Sequence, residues 1–226
     1  KRINEGELLP RRACMLLCIV SLCLSAVCAS CADSTSPPSQ DQISRWFSSP
    51  PGLQVSNTTP VRLVGGENAF LCSAMFPDEG RNSMFGAVLV IPKTEKVVRL
   101  HEVGYNFQVV DIDNDGISEI ITEVTGSGQG ITMGSKYLLH LTEDMVIVLR
   151  KQQIMDNSGC CEIAGCRDVC KATDVTWDST KIPGEGPDLS ETVVEKVGKN
   201  IFTNKRFFTI TNGQLLEVNQ NTPSNQ

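Results

Sequence analysis

Apolar residues along this chain come in short runs broken by turn formers, without the three-to-four-residue spacing of an amphipathic helix. Phe85 to Ile91 is one uninterrupted apolar stretch, the pattern of a strand buried on both faces. Lys93-Thr94-Glu95-Lys96 turns it into Val97 to Val103, and further runs follow at 106–112, 117–124, 136–141 and 145–149. Near the end, Phe207 to Thr211 and Gln214 to Val218 flank Asn212-Gly213, a dipeptide suited to the two-residue hairpin turn with positive φ at both positions. The pattern predicts a mostly β fold over residues 61–220: antiparallel sheets, sandwich-like or propeller-like, with few helices.

The first thirty residues are of another kind. Lys1, Arg2, Arg11 and Arg12 precede an uncharged apolar run, and small residues follow at Ala29 and Ser30, as in a signal peptide. Ala29-Ser30-Cys31 resembles the end of a bacterial lipobox, which implies a lipidated Cys31. Plain cleavage and secretion is a second reading. Retention as a membrane anchor is a third, because Ala13 to Ala32 gives 20 uncharged residues. All three expect the folded part outside the cytoplasm, reaching the membrane through an N-terminal lipid or anchor. Residues 31–60, with Ser34-Thr35-Ser36-Pro37-Pro38-Ser39 and Pro50-Pro51-Gly52, read as a disordered tether, and 221–226 as a disordered tail.

Charge narrows the partners. The chain carries 20 basic and 26 acidic side chains, a net −6, with no Lys/Arg run. That excludes a nucleic-acid partner and leaves a protein or glycan ligand open. Removing a leader that ends at Ser30 takes away four basic and two acidic residues, leaving 16 against 24, a net −8.

The candidate chemistry lies at Val109-Val-Asp-Ile-Asp-Asn-Asp-Gly-Ile-Ser-Glu-Ile-Ile-Thr-Glu-Val124. Asp111, Asp113 and Asp115 alternate with other residues, Gly116 follows, and Glu119 closes the set. Calcium takes six to eight oxygens from carboxylates and carbonyls, and acids at loop positions 1, 3 and 5 can curl around one point, with the Ile117 carbonyl at position 7. Without a cation three acids this close repel. An EF-hand needs a bidentate Glu at position 12, where Thr122 stands, and helices on both sides. Here Glu119 at position nine is the last acid and a β-branched run follows, so the segment reads as strand–loop–strand. Mg²⁺ suits such a flexible, many-ligand loop less well.

These residues resemble the calcium loop of FG-GAP/VCBS-type repeats, found in integrin α-subunit propellers and many bacterial surface proteins. The resemblance covers Val109 to Val124 and implies calcium held by Asp111, Asp113, Asp115, the Ile117 carbonyl and Glu119. Glu119 departs from the Asp usual at that position. Phe85-Gly86-Ala87 echoes the Phe-Gly pair without its Gly-Ala-Pro partner. Asp178, Glu185 and Asp188 are candidates for an eroded second copy, against a plain Pro/Gly surface turn.

Gly126-Ser127-Gly128-Gln129-Gly130 lacks the Gly-Lys-Ser/Thr ending of a phosphate loop and reads as a wide turn after the calcium strand. Cys160, Cys161, Cys166 and Cys170 cluster, and export makes disulfides their expected state, with zinc the alternative; Cys72 either joins them or stays free. His101-Glu102 is not a His-Glu-x-x-His metal motif, and His140 sits in an apolar strand where a core or strand-surface role is commoner. The sequence therefore points to a non-catalytic, calcium-stabilised binding or structural module at the cell envelope, the alternative being a secreted hydrolase with an accessory calcium site.

Overall fold

The apolar runs become strands because each can bury one or both of its faces. The computed structural model describes residues 36–47, 52–80, 84–128, 130–161, 170–179 and 187–218, excepting the side chains of Cys160 and Cys161. The expected signal segment with Cys31, the tail at 221–226, Cys166 and Glu185 lie outside the described residues. From Pro37 onward the chain forms one compact unit.

Strands β1 (Gln54–Arg62), β2 (Asn68–Met75), β3 (Phe85–Ile91) and β4 (Lys96–Leu100) form one four-stranded sheet in that order. The second sheet has eight strands, also in chain order: β5 (Phe107–Val110), β6 (Glu119–Gly128), β7 (Ile131–Leu141), β8 (Val146–Asp156), β9 (Lys171–Ser179), β10 (Leu189–Val197), β11 (Asn200–Thr211) and β12 (Gln214–Glu217). Every neighbouring pair is antiparallel, so both sheets are up-and-down meanders of sequence neighbours. Of the two architectures expected, the sandwich-like one is found.

Strand alternation assigns the side chains to layers. Ala87, Leu89 and Ile91 of β3 enter one core with Leu71, Ile120, Leu139 and Leu141, while Val88 and Val90 enter another with Ile43, Phe70 and Phe76. That is why β3 is apolar without interruption: both of its faces are covered. The β6–β7 pair does the same, with Ile120 and Leu139 facing the first sheet. Ile121 and Leu138 face a third core with Val175, Trp177, Leu189, Phe208 and Ile210. The eight-stranded sheet thus folds back over itself. It can do so because β8 and β9 pair only at Met155–Thr173 and Asp156–Ala172. Each large apolar side chain buried this way contributes about 1.5–3 kcal/mol.

Two sequence expectations change. The tether expected over 31–60 holds helix α1 (Gln40–Trp46) and nearly all of β1. Ser39 and Gln42 form a reciprocal capping box, Ile43 is fully buried, and Gln40 ties the helix to Leu53 O and Val55 N. Seven residues are too few to show a helical period, and the Pro/Ser neighbourhood masked the cap. The wide turn expected at Gly126–Gly130 is instead strand to Gly128, which pairs with Ile131, and Gly130 has φ +77°. A one-turn helix α2 (Ser158–Cys161) follows β8. The Asn212-Gly213 hairpin is found as expected, with φ of +51° and +70° between Thr211 and Gln214.

Candidate metal centre

The loop between β5 and β6 brings Asp111, Asp113 and Asp115 together, with one carboxylate oxygen from each within 4.8 Å of the others. Ligands at about 2.3–2.6 Å from one calcium ion are at most roughly 5 Å apart, so the spacing fits a shared ion. Among the described residues this is the one such group of three or more His, Cys, Asp or Glu side chains. The loop is shaped by its own acids. Asp113 Oδ1 accepts from Asp115 N at 3.2 Å, Asp115 Oδ1 from Ile117 N at 2.7 Å, and Asp111 Oδ2 from Gly116 N at 3.1 Å. Each bond holds one oxygen and leaves acceptor capacity for a cation. The bend requires positive φ at Asn114 (+61°) and Gly116 (+85°), conformations that Asn and Gly adopt most readily.

The electrostatics are those of a site short of positive charge. Partial burial pushes the Asp113 carboxyl above its usual range, and the neighbouring charges of Asp115, Glu119 and Asp111 push it the same way, against the bond from Asp115 N. A bound cation would reverse this balance.

Glu119, the fourth acid of the motif, is placed differently from the three aspartates. Its side chain is fully buried, Oε2 accepts from Ile112 N at 2.5 Å, and Oε1 lies 2.6 Å from His140 Nε2. Both carboxylate oxygens are therefore engaged beneath the loop. Glu119 closes the loop by gripping its second residue, while Ile112 itself is buried in the third core. His140, for which the sequence left a core or a strand-surface role open, is buried and stands directly opposite Glu119 across β6 and β7. The loop also reaches the first sheet: Ser118 N donates to Arg62 O, and Ser118 Oγ accepts from Arg62 N, both at 2.9 Å. Next to this latch, Val64 N donates to Leu141 O at 2.8 Å.

Of the candidate second copy, only Asp178 and Asp188 are among the described residues. Asp188 is buried and accepts from Thr209 Oγ1 and Ile210 N, and Asp178 lies on β9 opposite Ser190. Cys72 is a free, buried thiol bonded to Thr58; burial pushes its pKa up and that bond opposes it. Cys170, by contrast, is not free.

Sequence reasoning missed a heavily bonded carboxylate, Glu191 on β10. It is fully buried and accepts from Arg150 Nε and Nη2 (3.0 and 2.9 Å), Gln152 Nε2 (3.1 and 3.2 Å) and Trp177 Nε1 (2.9 Å). Its partners come from two other strands, β8 and β9, up to 41 residues away, so no local motif announces them. Burial alone would raise the Glu191 pKa, but these bonds and the Arg150 charge outweigh it and hold the carboxyl below its usual range.

No family model, curated protein or solved structure is significantly similar to this chain.

Proposed function

We propose that the chain is a non-catalytic module whose fold is stabilised by one calcium ion, working outside the cytoplasm at a bacterial cell envelope. The carrying observation is the triad of aspartate oxygens within 4.8 Å, held in place by backbone amides of the same loop. Asp111, Asp113, Asp115 and the Ile117 carbonyl are the proposed ligands. Glu119, with both oxygens taken, holds the loop in register from below. The all-oxygen, flexible donor set favours calcium over Mg²⁺ and disfavours zinc. Because Ser118 ties the loop to Arg62, an ion here stiffens the junction between the two sheets. The leader-like segment and Cys31 support the envelope placement, with the lipid as the membrane link. The Cys160, Cys161, Cys166 and Cys170 group is assigned to disulfides on the same ground.

Thermal unfolding with calcium, magnesium and chelator tests the reading. Calcium at about 100 times its dissociation constant adds about 2.7 kcal/mol of stability. The expected result is a melting temperature that rises with calcium, falls with chelator, and loses this response in Asp113→Asn. A melting temperature indifferent to calcium and chelator in the wild-type chain overturns it.

A further inference from the structure

Strand β11 has 12 residues and outruns its outer neighbour β12, which has 4. β12 pairs with Phe208 to Thr211, and Val218 N adds one bond to Phe207 O. Residues 200–206 therefore have β10 on one side and, among the described residues, no strand on the other. Alternation fixes which main-chain groups face this open edge. Phe207 O is bonded from the β12 side, whereas Phe208 O accepts from Asp188 N on the β10 side. Successive residues of a strand point their main-chain groups opposite ways. Ile201, Thr203 and Lys205 thus turn an N–H and a C=O each, six groups in all, to the open edge.

The terminal strands of the two sheets are blunted. β1 carries Pro60 and a bulge between Ser56 and Thr59, and Gln40 of α1 bonds Leu53 O and Val55 N at its start. β4, β5 and β12 have only 5, 4 and 4 residues. Such devices keep strand edges from pairing with other chains. The open part of β11 has no Pro, and its register on β10 is unbroken. Its two large apolar side chains stand out on opposite faces, Ile201 at 64% exposure and Phe202 at 56%.

We infer that this edge joins two copies of the chain, their β11 strands pairing antiparallel about a two-fold axis at Thr203. The register follows by exclusion. Centred on Thr203, Ile201 meets Lys205 of the second copy and Thr203 meets its equivalent, so all the open groups bond. Centring on Phe202 would set Lys205 against Lys199 of the second copy, and like charges directly opposite are unfavourable. Centring on Asn204 would set Ile201 against Phe207, whose carbonyl Val218 N already holds. In the remaining register Thr faces Thr, the Lys205 stem lies along Ile201, and Arg206 faces Asn200. Phe202 then lies diagonal to both Phe202 and Arg206 of the second copy, within reach of ring–ring and cation–π contact. The edge is complementary to itself, and a two-fold contact closes at the dimer. One strand pair is small beside the roughly 800 Å² per partner of a standard interface, so the dimer is weak and reversible. It shares no residue with the aspartate loop, so a failed calcium titration leaves its test intact.

The test uses the full chain, with sedimentation at rising concentration and amide hydrogen exchange followed by NMR. The expected result is a monomer–dimer equilibrium in which the Ile201, Thr203 and Lys205 amides gain protection as concentration rises. The Phe202 and Asn204 amides face β10 and are protected throughout. Thr203→Pro should abolish the dimer. Its N–H lies outside the β10 ladder, where a strand tolerates Pro, and its melting temperature in dilute solution checks the fold. Phe202→Ala should weaken association about tenfold or more, the ring being lost twice across the axis. Met145→Ala, at a residue 63% exposed just before β8, should leave it unchanged. A chain that stays monomeric at the concentrations NMR requires would overturn the inference, as would a dimer that leaves the three amides unprotected or survives Thr203→Pro. Protection of those amides at every concentration, as occupancy of the edge by residues 219–226 would give, would overturn it equally.

Discussion

Glu119 and His140 stand opposite each other on β6 and β7 with 2.6 Å between Oε1 and Nε2, and the other carboxylate oxygen holds Ile112 N inside the aspartate loop. The pair links the hydrogen-bonded sheet to the loop: His140 fixes the carboxylate, and the carboxylate fixes where residues 111–115 begin to curl. A group that orients ligands from behind commonly affects ion affinity by 10–100-fold.

Glu119→Gln is therefore expected to weaken calcium about tenfold or more without touching any of the three aspartates. The amide keeps the size of the side chain but has one acceptor oxygen where two are needed. One buried donor is left unpaired, which costs about 1–3 kcal/mol. Calcium titration of the variant, together with chemical unfolding under chelator, separates the two effects.

Asp113→Asn is expected to act with opposite sign in the two states. In the ion-free protein Asp113 is held above its usual pKa by burial and by its acidic neighbours. Its ionised form is thus a liability at neutral pH. The folded state binds the proton more tightly than the unfolded chain, so the penalty is full above the raised folded pKa. It disappears as pH falls through that value towards the unfolded one, about 3.9. The amide removes the penalty, so the variant should melt higher than wild type in chelator at pH 7 and lower than wild type in saturating calcium. Melting curves in the two buffers check both halves.

How legible the fold was depended on distance along the chain. Phe85 to Ile91 was readable to the residue because a strand covered on both faces is apolar at every position. The Asn212-Gly213 turn was readable because its backbone needs two positive φ angles. The three aspartates were readable because the loop brings their carboxylates together through its own spacing. Glu119 shows the limit: its place in the motif suggests a ligand, but the register of β6 on β7 sets it against His140, and that register is not local. Arg150, Trp177 and Glu191 lie further beyond reach, since they meet only after the second sheet has folded back on itself. Helix α1 was hidden by brevity, with Ile43 its single buried residue.

Gly104 marks where the loop after β4 passes β6. A Cβ built there would lie 2.0 Å from Glu123 O, and Gly104 N donates to Thr122 Oγ1 at 3.0 Å. Backbone cannot yield as a flexible side-chain tip can. Gly104→Ala should destabilise by about 1–3 kcal/mol or more, read as a lower denaturation midpoint. Gly126→Ala, with open space around its position, should change it little.

Glu191 gives a pH dependence in the opposite direction to Asp113. Its folded pKa is depressed, because the bonds from Arg150, Trp177 and Gln152 outweigh the cost of burial. The stability it contributes is present above the unfolded value, about 4.3, and is lost as pH falls through the folded pKa. Removing the acid altogether is worse than protonating it, since Arg150, only 22% exposed, then keeps a charge with no acceptor. Glu191→Ala should cost about 3–5 kcal/mol, and the double change Glu191→Leu with Arg150→Met should recover most of it by replacing the pair with apolar volume. The double variant should also lose the acid-side fall in stability. Denaturant midpoints for wild type, single and double variants at neutral and mildly acidic pH check this. A single variant as stable as wild type would show that the network contributes nothing, while a double variant no better than the single would mean that packing in the third core, and not charge, sets the loss.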